Sequence, residues 1–216
     1  MTLIVTSEYE LQRIQPPALP LAKEQYDRQY QDELNNVLRL YFNRLQNILG
    51  QLNTGANTAG IRSAYGAFED TLSHTVTANT ANVMTFNTTD YSNGVTLVGG
   101  SKMTVAYAGI YNLQFSTQFQ NTDTQLSDVS IWLRKNGTDI VGSSGFISIP
   151  NEHGGIPGHS INGWNFFISM NANDYVELWW STTNALVTIE AYAASTAPTR
   201  PATASNVATL TFVSAL

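Results

Sequence analysis

Three histidines, four tryptophans and eight carboxylates beyond Thr71 are the side chains of this 216-residue chain best suited to chemistry. His74, His153 and His159 could serve nucleophilic catalysis only if a carboxylate held one of them beside an activated hydroxyl, and the chain has no Gly-x-Ser-x-Gly elbow. The run Asn151-Glu152-His153-Gly154-Gly155-Ile156-Pro157-Gly158-His159 offers two imidazoles and a carboxylate, a ligand set for a metal if the loop folds back on itself. Its glycines favour an ordinary solvated loop. Glycoside hydrolysis needs two carboxylates across a cleft, and the spacing of Asp90, Asp123, Asp128, Asp139, Glu152, Asp174, Glu177 and Glu190 marks none of them as a pair. Asp123 and Asp128 could help to hold calcium, which needs about six to eight oxygens, but they read more simply as parts of a solvated loop. Asp174 is expected to cap a turn through bonds to backbone donors. No catalytic, cofactor or metal site is assigned, and a non-enzymatic role is expected.

The aromatic residues carry more information. Ile131 and Leu133 alternate with Trp132, Phe166 and Ile168 with Phe167, and Leu178 and Trp180 with Trp179. If the first of each set points inward, Trp132, Phe167 and Trp179 point outward, and exposed aromatics usually mark an interface. Three outcomes stay open for them: a subunit contact, a ligand platform, or cover by bulges and loops of the same chain. Sugars stack on aromatic faces and bond to neutral Asn, Gln and Thr, and Trp164, just past a stretch from Gly142 to Gly163 read as a flexible loop, is the preferred candidate glycan contact. Burial at a strand start is the competing reading for Trp164.

These residues need strands to position them, and the region beyond Thr71 is patterned for strands. Tyr111, Leu113, Phe115, Thr117 and Phe119 alternate with Asn112, Gln114, Ser116 and Gln118, so one face is buried and the other polar. Similar runs at 83–86, 103–107, 128–134, 164–170, 175–180, 186–192 and 208–213 predict about eight strands and no helix, the pattern of a β-sandwich or jelly roll. Asn136-Gly137 predicts a tight hairpin.

The first third of the chain differs. Pro16, Pro17 and Pro20 favour an extended arm over residues 1–20. Residues 21–52 lack Pro, and Gly50 is their one glycine, which predicts a single long helix. Within it Leu34, Leu38, Tyr41, Leu45, Ile48 and Leu52 recur at coiled-coil spacing, a seam for self-association or the inner face of a helix docked on its own domain. Residues 53–70 read as a Gly/Asn/Thr linker and residues 71–216 as the jelly-roll domain.

Composition bounds the function. Hydrophobic residues make up 43% of the chain and charged residues only 12%, against about 25% in an average domain; 25 Thr and 20 Asn take up the difference. A net charge of -6 without a basic cluster excludes an ordinary nucleic-acid surface. The absence of cysteine excludes disulfides and Cys-ligated metals. No stretch reaches the roughly 18–20 apolar residues of a membrane span, and Met1 to Ile14 carries charges where a signal peptide would be apolar, so a soluble, unprocessed chain is expected.

Gly109-x-Tyr111-x-x-x-Phe115, the strand ending in Asn136-Gly137, the turn Asn171-Ala172-Asn173-Asp174 into Tyr175-Val176-Glu177-Leu178, and a last apolar strand with Phe212 together resemble the jelly roll of tumour necrosis factor and complement C1q-like proteins. The chain departs from that family in having Asn173 where Gly commonly precedes the Asp, and in lacking a collagen-like stalk. Separately, Pro16-Pro17-Ala18-Leu19-Pro20-Leu21-Ala22, Tyr26-Asp27-Arg28-Gln29-Tyr30 and Asn36-Val37-Leu38-Arg39-Leu40-Tyr41-Phe42-Asn43 resemble the amino end of small virion proteins of tailed bacteriophages. The resemblances imply a homotrimeric structural component of a virion (fibre, neck appendage or head decoration) that docks on other virion proteins through residues 1–52. One sheet of each jelly roll would face a threefold axis and hide Trp132, Phe167 and Trp179. The alternative is a virion module that recognises a host surface glycan.

Overall fold

The computed structural model describes residues 17–21, 25, 27–53 and 63–215, with the side chains of 48–53 outside that description. Two compact units divide the chain, residues 1–62 and 63–216. In the first, α1 spans Arg28–Asn53. It starts later than the predicted position 21 because Asp27 caps it: the Oδ1 of Asp27 accepts hydrogen bonds from the backbone N–H of Gln29 (2.8 Å) and of Tyr30 (3.4 Å), which satisfies two donors that the first turn would leave unpaired. Tyr30, Leu34, Val37, Leu38, Tyr41 and Leu45 form a half-buried stripe, while Leu40 and Phe42 are exposed. Ile48 and Leu52, the last two predicted seam positions, and most of the 1–20 arm lie outside the described side chains.

The second unit is a β-sandwich of jelly-roll type. Its strands are β1 (Tyr65–Asp70), β2 (Asn82–Val83), β3 (Thr88–Asn93), β4 (Val95–Val98), β5 (Lys102–Val105), β6 (Gly109–Asn121), β7 (Ser127–Lys135) and β8 (Thr138–Asp139). There follow β9 (Gly145–Ile149), β10 (Gly158–Asn162), β11 (Asn165–Met170), β12 (Tyr175–Thr182), β13 (Val187–Ile189), β14 (Ser195–Thr196), β15 (Thr199–Arg200) and β16 (Asn206–Ser214). The first sheet runs β10-β6-β16-β1-β3, with β11 and β13 also on β6. The second runs β4-β5-β12-β7-β8, with β2 on β12 and β9 on β7. The chain changes sheet at eight steps between β1 and β13, among them those from β6 to β7, from β9 to β10 and from β11 to β12, so neighbours in sequence often lie on opposite layers.

The 13-residue β6 is the axis of the first sheet. Its inward residues Tyr111, Leu113, Phe115 and Phe119 are buried and meet Ile131, Leu133, Val176, Leu178 and Trp180 of the second sheet. Phe119 and Trp180 pack 5.4 Å apart between centroids. Alternation over such a length has one physical solution, an apolar face against a second layer.

Two boundaries depart from expectation. Residues 65–70, read as linker, form β1, because its inward positions are Gly66, Phe68 and Asp70 and only one of those is apolar. The ring of Phe68 occupies the space that a Cβ on Gly66 would fill, 2.5 Å from it. The sandwich therefore begins at Ser63 and not at residue 71. The stretch from Gly142 to Gly163, read as a flexible loop, contains β9 and β10, paired to β7 and β6.

The predicted turns hold. Asn136 (φ 49°) and Gly137 (φ 81°) both take left-handed backbone between β7 and β8, as the hairpin requires. Asn173 adopts φ 69°, a conformation that asparagine tolerates as a single residue, so it replaces the glycine common at that step. Burial raises the Asp174 carboxyl, but hydrogen bonds from Asn136 and Lys135 and from the backbone of Asn171 outweigh it and hold the group below its ordinary value.

Candidate functional site

The outward faces of the two sheets differ in how charge is distributed. On the first sheet, β6, β10, β11, β13 and β16 contain no Asp, Glu, Lys or Arg. Their outward positions are amides and hydroxyls such as Asn112, Gln114, Ser116, Thr209 and Thr211, interrupted by apolar groups that water reaches. Phe167 is 63% exposed, Ile161 70%, and Val207 and Val213 are also open. Tyr91 on β3, opposite Ala67, is exposed toward the far edge, where Glu69 on an outward position of β1 and exposed Asp90 of β3 bring charge back to the sheet. On the second sheet, Lys102, Asp128, Arg134 and Glu177 point outward among the aromatics.

The sequence placed Trp132, Phe167 and Trp179 on one contact face, and the structure corrects this. Trp132 and Trp179 are cross-strand partners on β7 and β12 of the second sheet. Phe167 lies on β11 of the first sheet, opposite Asn112. All three do point outward as parity required. The crossover at 171–174 puts β11 and β12 on different layers, so no single flat surface contains all three rings. The chain itself also covers Trp179: the Arg134 guanidinium lies 3.8 Å from the ring centroid, and the indole N–H donates to Oε2 of Glu177 at 3.3 Å. Trp132 stays half-exposed, its ring fixed by a 2.9 Å hydrogen bond from Nε1 to Oδ1 of Asp139. The same oxygen accepts from Arg134 Nε at 2.7 Å, and these two donors hold the Asp139 carboxyl below its ordinary value.

Trp164 packs where the sequence offered it as a glycan platform. Its ring meets Phe115 edge-on at 4.9 Å and lies so close over Gly145 of β9 that a Cβ there would fall 2.5 Å from it. The indole thus bridges the two sheets, and packing takes the place of stacking on a ligand.

The histidines are scattered. His153 sits in a turn bonded to Ile156, and His159 lies on β10 with its Nδ1 3.3 Å from the Tyr192 hydroxyl. Among the described residues no three His, Asp or Glu side chains converge on one point. Asp128 accepts a hydrogen bond from Ser148 Oγ at 2.7 Å, and Asp123 bonds Asn184 and the backbone of Gln125. His74 belongs to a cluster that sequence spacing did not reveal: its Nε2 lies 2.8 Å from Oδ2 of buried Asp70 and 3.2 Å from Thr85 Oγ1, which itself donates to the same carboxylate oxygen at 2.8 Å. A relay needs the carboxylate on one ring nitrogen and the nucleophile on the other. Here both meet Nε2, and Asp70 also accepts from the Leu72 N–H and, through its backbone carbonyl, from Ser205, so the cluster fastens β1 to its neighbours.

The functional candidates that remain are two surfaces: the uncharged strands β6, β10, β11, β13 and β16 of the first sheet, and the aromatic, polar face of the second around Trp132. Phe146, 69% exposed on β9, belongs to the latter. It went unnoticed in the sequence because β9 was read as loop. No helix among the described residues is long and apolar enough to cross a membrane. No protein-family model matches the sequence, and no curated protein is similar to it.

Proposed function

We propose that this chain is a structural component of a tailed-phage virion that assembles as a homotrimer through the outward face of its first sheet and docks on other virion proteins through residues 1–52. The observation that carries the reading is the uncharged five-strand part of that face. Five strands without an acidic or basic residue expose Phe167, Ile161, Val207 and Val213, in a unit whose opposite sheet holds outward Lys, Arg, Asp and Glu. These five strands meet the same strands of a copy with no like-charge repulsion, the sheet's Glu69 and Asp90 standing apart on β1 and β3, and burial of their apolar groups drives the contact. The threefold number and the virion rest on the two resemblances of the sequence. The role is mechanical, with no reaction attached.

Sedimentation equilibrium of the full chain tests it. The expected mass is three times 23.7 kDa, falling to the monomer in Phe167→Asp with an unchanged far-ultraviolet spectrum. A monomeric wild-type chain, or a trimer indifferent to Phe167→Asp and Ile161→Asp alike, refutes assembly through this face.

A further inference from the structure

We infer that the outward face of the second sheet holds a binding site for an uncharged saccharide, in the trough between Trp132 and Phe146. Cross-strand register builds it. Ser130 of β7 lies between Ser181 of β12 and Phe146 of β9, so two small hydroxyl residues form a floor and the phenyl ring rises on one side. The opposite wall is the turn at Asn79–Ala81, anchored by the hydrogen bond from Asn79 N to Thr182 O at 2.8 Å and by Thr80 Oγ1 to Thr77 O at 2.6 Å. Trp132 closes one end, and Asp128 with Thr183 closes the other. The trough encloses about 300 Å³, at the lower limit of the roughly 300–1,000 Å³ of small-molecule sites, which suits one or two sugar rings.

The lining selects the ligand class. An apolar molecule would bury the Ser130 and Ser181 hydroxyls without partners. An anion would meet Asp128, the one charged residue of the lining, with no Lys or Arg to offset it. A neutral sugar supplies both requirements: C–H groups of its ring for the electron-rich faces of Trp132 and Phe146, and hydroxyl donors for the Asp128 carboxylate. Oδ1 of Asp128 is oriented by Ser148, and no hydrogen bond from the described residues engages its Oδ2. The Asp139 bond holds the Trp132 ring in one orientation before any ligand arrives. The site does not depend on the oligomer reading, since it lies on the other sheet from Phe167.

The test is binding of full-length chain to an array of neutral oligosaccharides built from glucose, galactose, mannose and N-acetylhexosamines, with sialylated and sulfated oligosaccharides as counter-probes, followed by titration of the best neutral probe. The expected result is neutral-selective binding that shifts the Trp132 indole N–H resonance. Phe146→Ala and Asp128→Ala should each weaken it by at least about tenfold, whereas Phe167→Asp, which addresses the oligomer, leaves affinity per chain unchanged. Phe146 is exposed, so its truncation spares the fold. Absence of binding across the neutral set overturns the inference. So does equal binding of the acidic probes, full affinity in Phe146→Ala, or a resonance shift at Trp164 in place of Trp132.

Discussion

Adding one methyl group at Gly145 should cost the sandwich more than most surface substitutions, and removing Trp164 should cancel that cost. Gly145 is on β9 of the second sheet and Trp164 precedes β11 of the first, so their contact ties the layers together. A Cβ on Gly145 falls 2.5 and 2.6 Å from two atoms of the indole, about 1 Å inside the ordinary 3.5–4.0 Å carbon contact. The backbone at Gly145 is not left-handed, so the penalty is steric, in the range of about 1–3 kcal/mol for an overpacked site. Trp164→Ala alone should cost about 2–4 kcal/mol, below the value for a fully buried aromatic because part of the ring reaches water. With the ring absent the new methyl has room, so the double variant should be no less stable than Trp164→Ala, a coupling of about -1 to -3 kcal/mol. Urea unfolding of the four proteins reads this directly, with each 1 kcal/mol also lowering Tm by about 2–4 °C for a domain of this size. A Gly145→Ala cost below about 0.5 kcal/mol, or two single costs that simply add, would refute the role assigned to the indole.

At Asn173 (φ 69°), Asn173→Gly should change stability by less than about 0.5 kcal/mol, whereas Asn173→Val should cost about 1–2 kcal/mol because a β-branched residue resists left-handed backbone; thermal melts distinguish them. The Asp174 carboxyl is held below its ordinary value, so its contribution to stability is present above the unfolded value of about 3.9 and is lost as pH falls through the lowered folded one. Wild type should therefore exceed Asp174→Asn in stability at pH 7, with the gap closing below about pH 4 in denaturant titrations. A gap that persists into acid would mean that the carboxylate charge contributes nothing there.

The layered architecture was legible because the central inward positions of β6, β7 and β12, such as Tyr111, Leu113, Phe115, Ile131, Leu133, Leu178 and Trp180, are large and apolar, a pattern with period two that water enforces. β1, β3, β9 and β10 were hidden for the opposite reason: they lie at edges or bear Gly, Asp, Ser and Thr on inward positions, and their pairing comes from neighbours distant in sequence. Parity predicted that Trp132, Phe167 and Trp179 face outward. It carried no information about which layer each strand joins, and so the three rings were wrongly grouped. Trp164 packs as the burial reading had it, but the layer it packs against was hidden for a related cause, since its partner Gly145 contributes no side chain and leaves no hydrophobic mark. The trough was invisible for the same reason, its floor being two serines brought side by side by register.

Both ends of the sandwich chain emerge together. Phe212 N donates to Ala64 O at 2.7 Å, and a Cβ on Gly109 would touch the Ser214 carbonyl, while the connections near 123, 152 and 186 gather at the opposite pole, where Glu152 N meets Asp123 O and Thr122 N meets Leu186 O. β1 lies inside the sheet, between β16 and β3. A pull on Tyr65 directed along β1 therefore loads the rungs of its ladders, which run across the strand, all at once instead of peeling them apart one after another. The loops of the opposite pole thus stand apart from both ends of the sandwich chain.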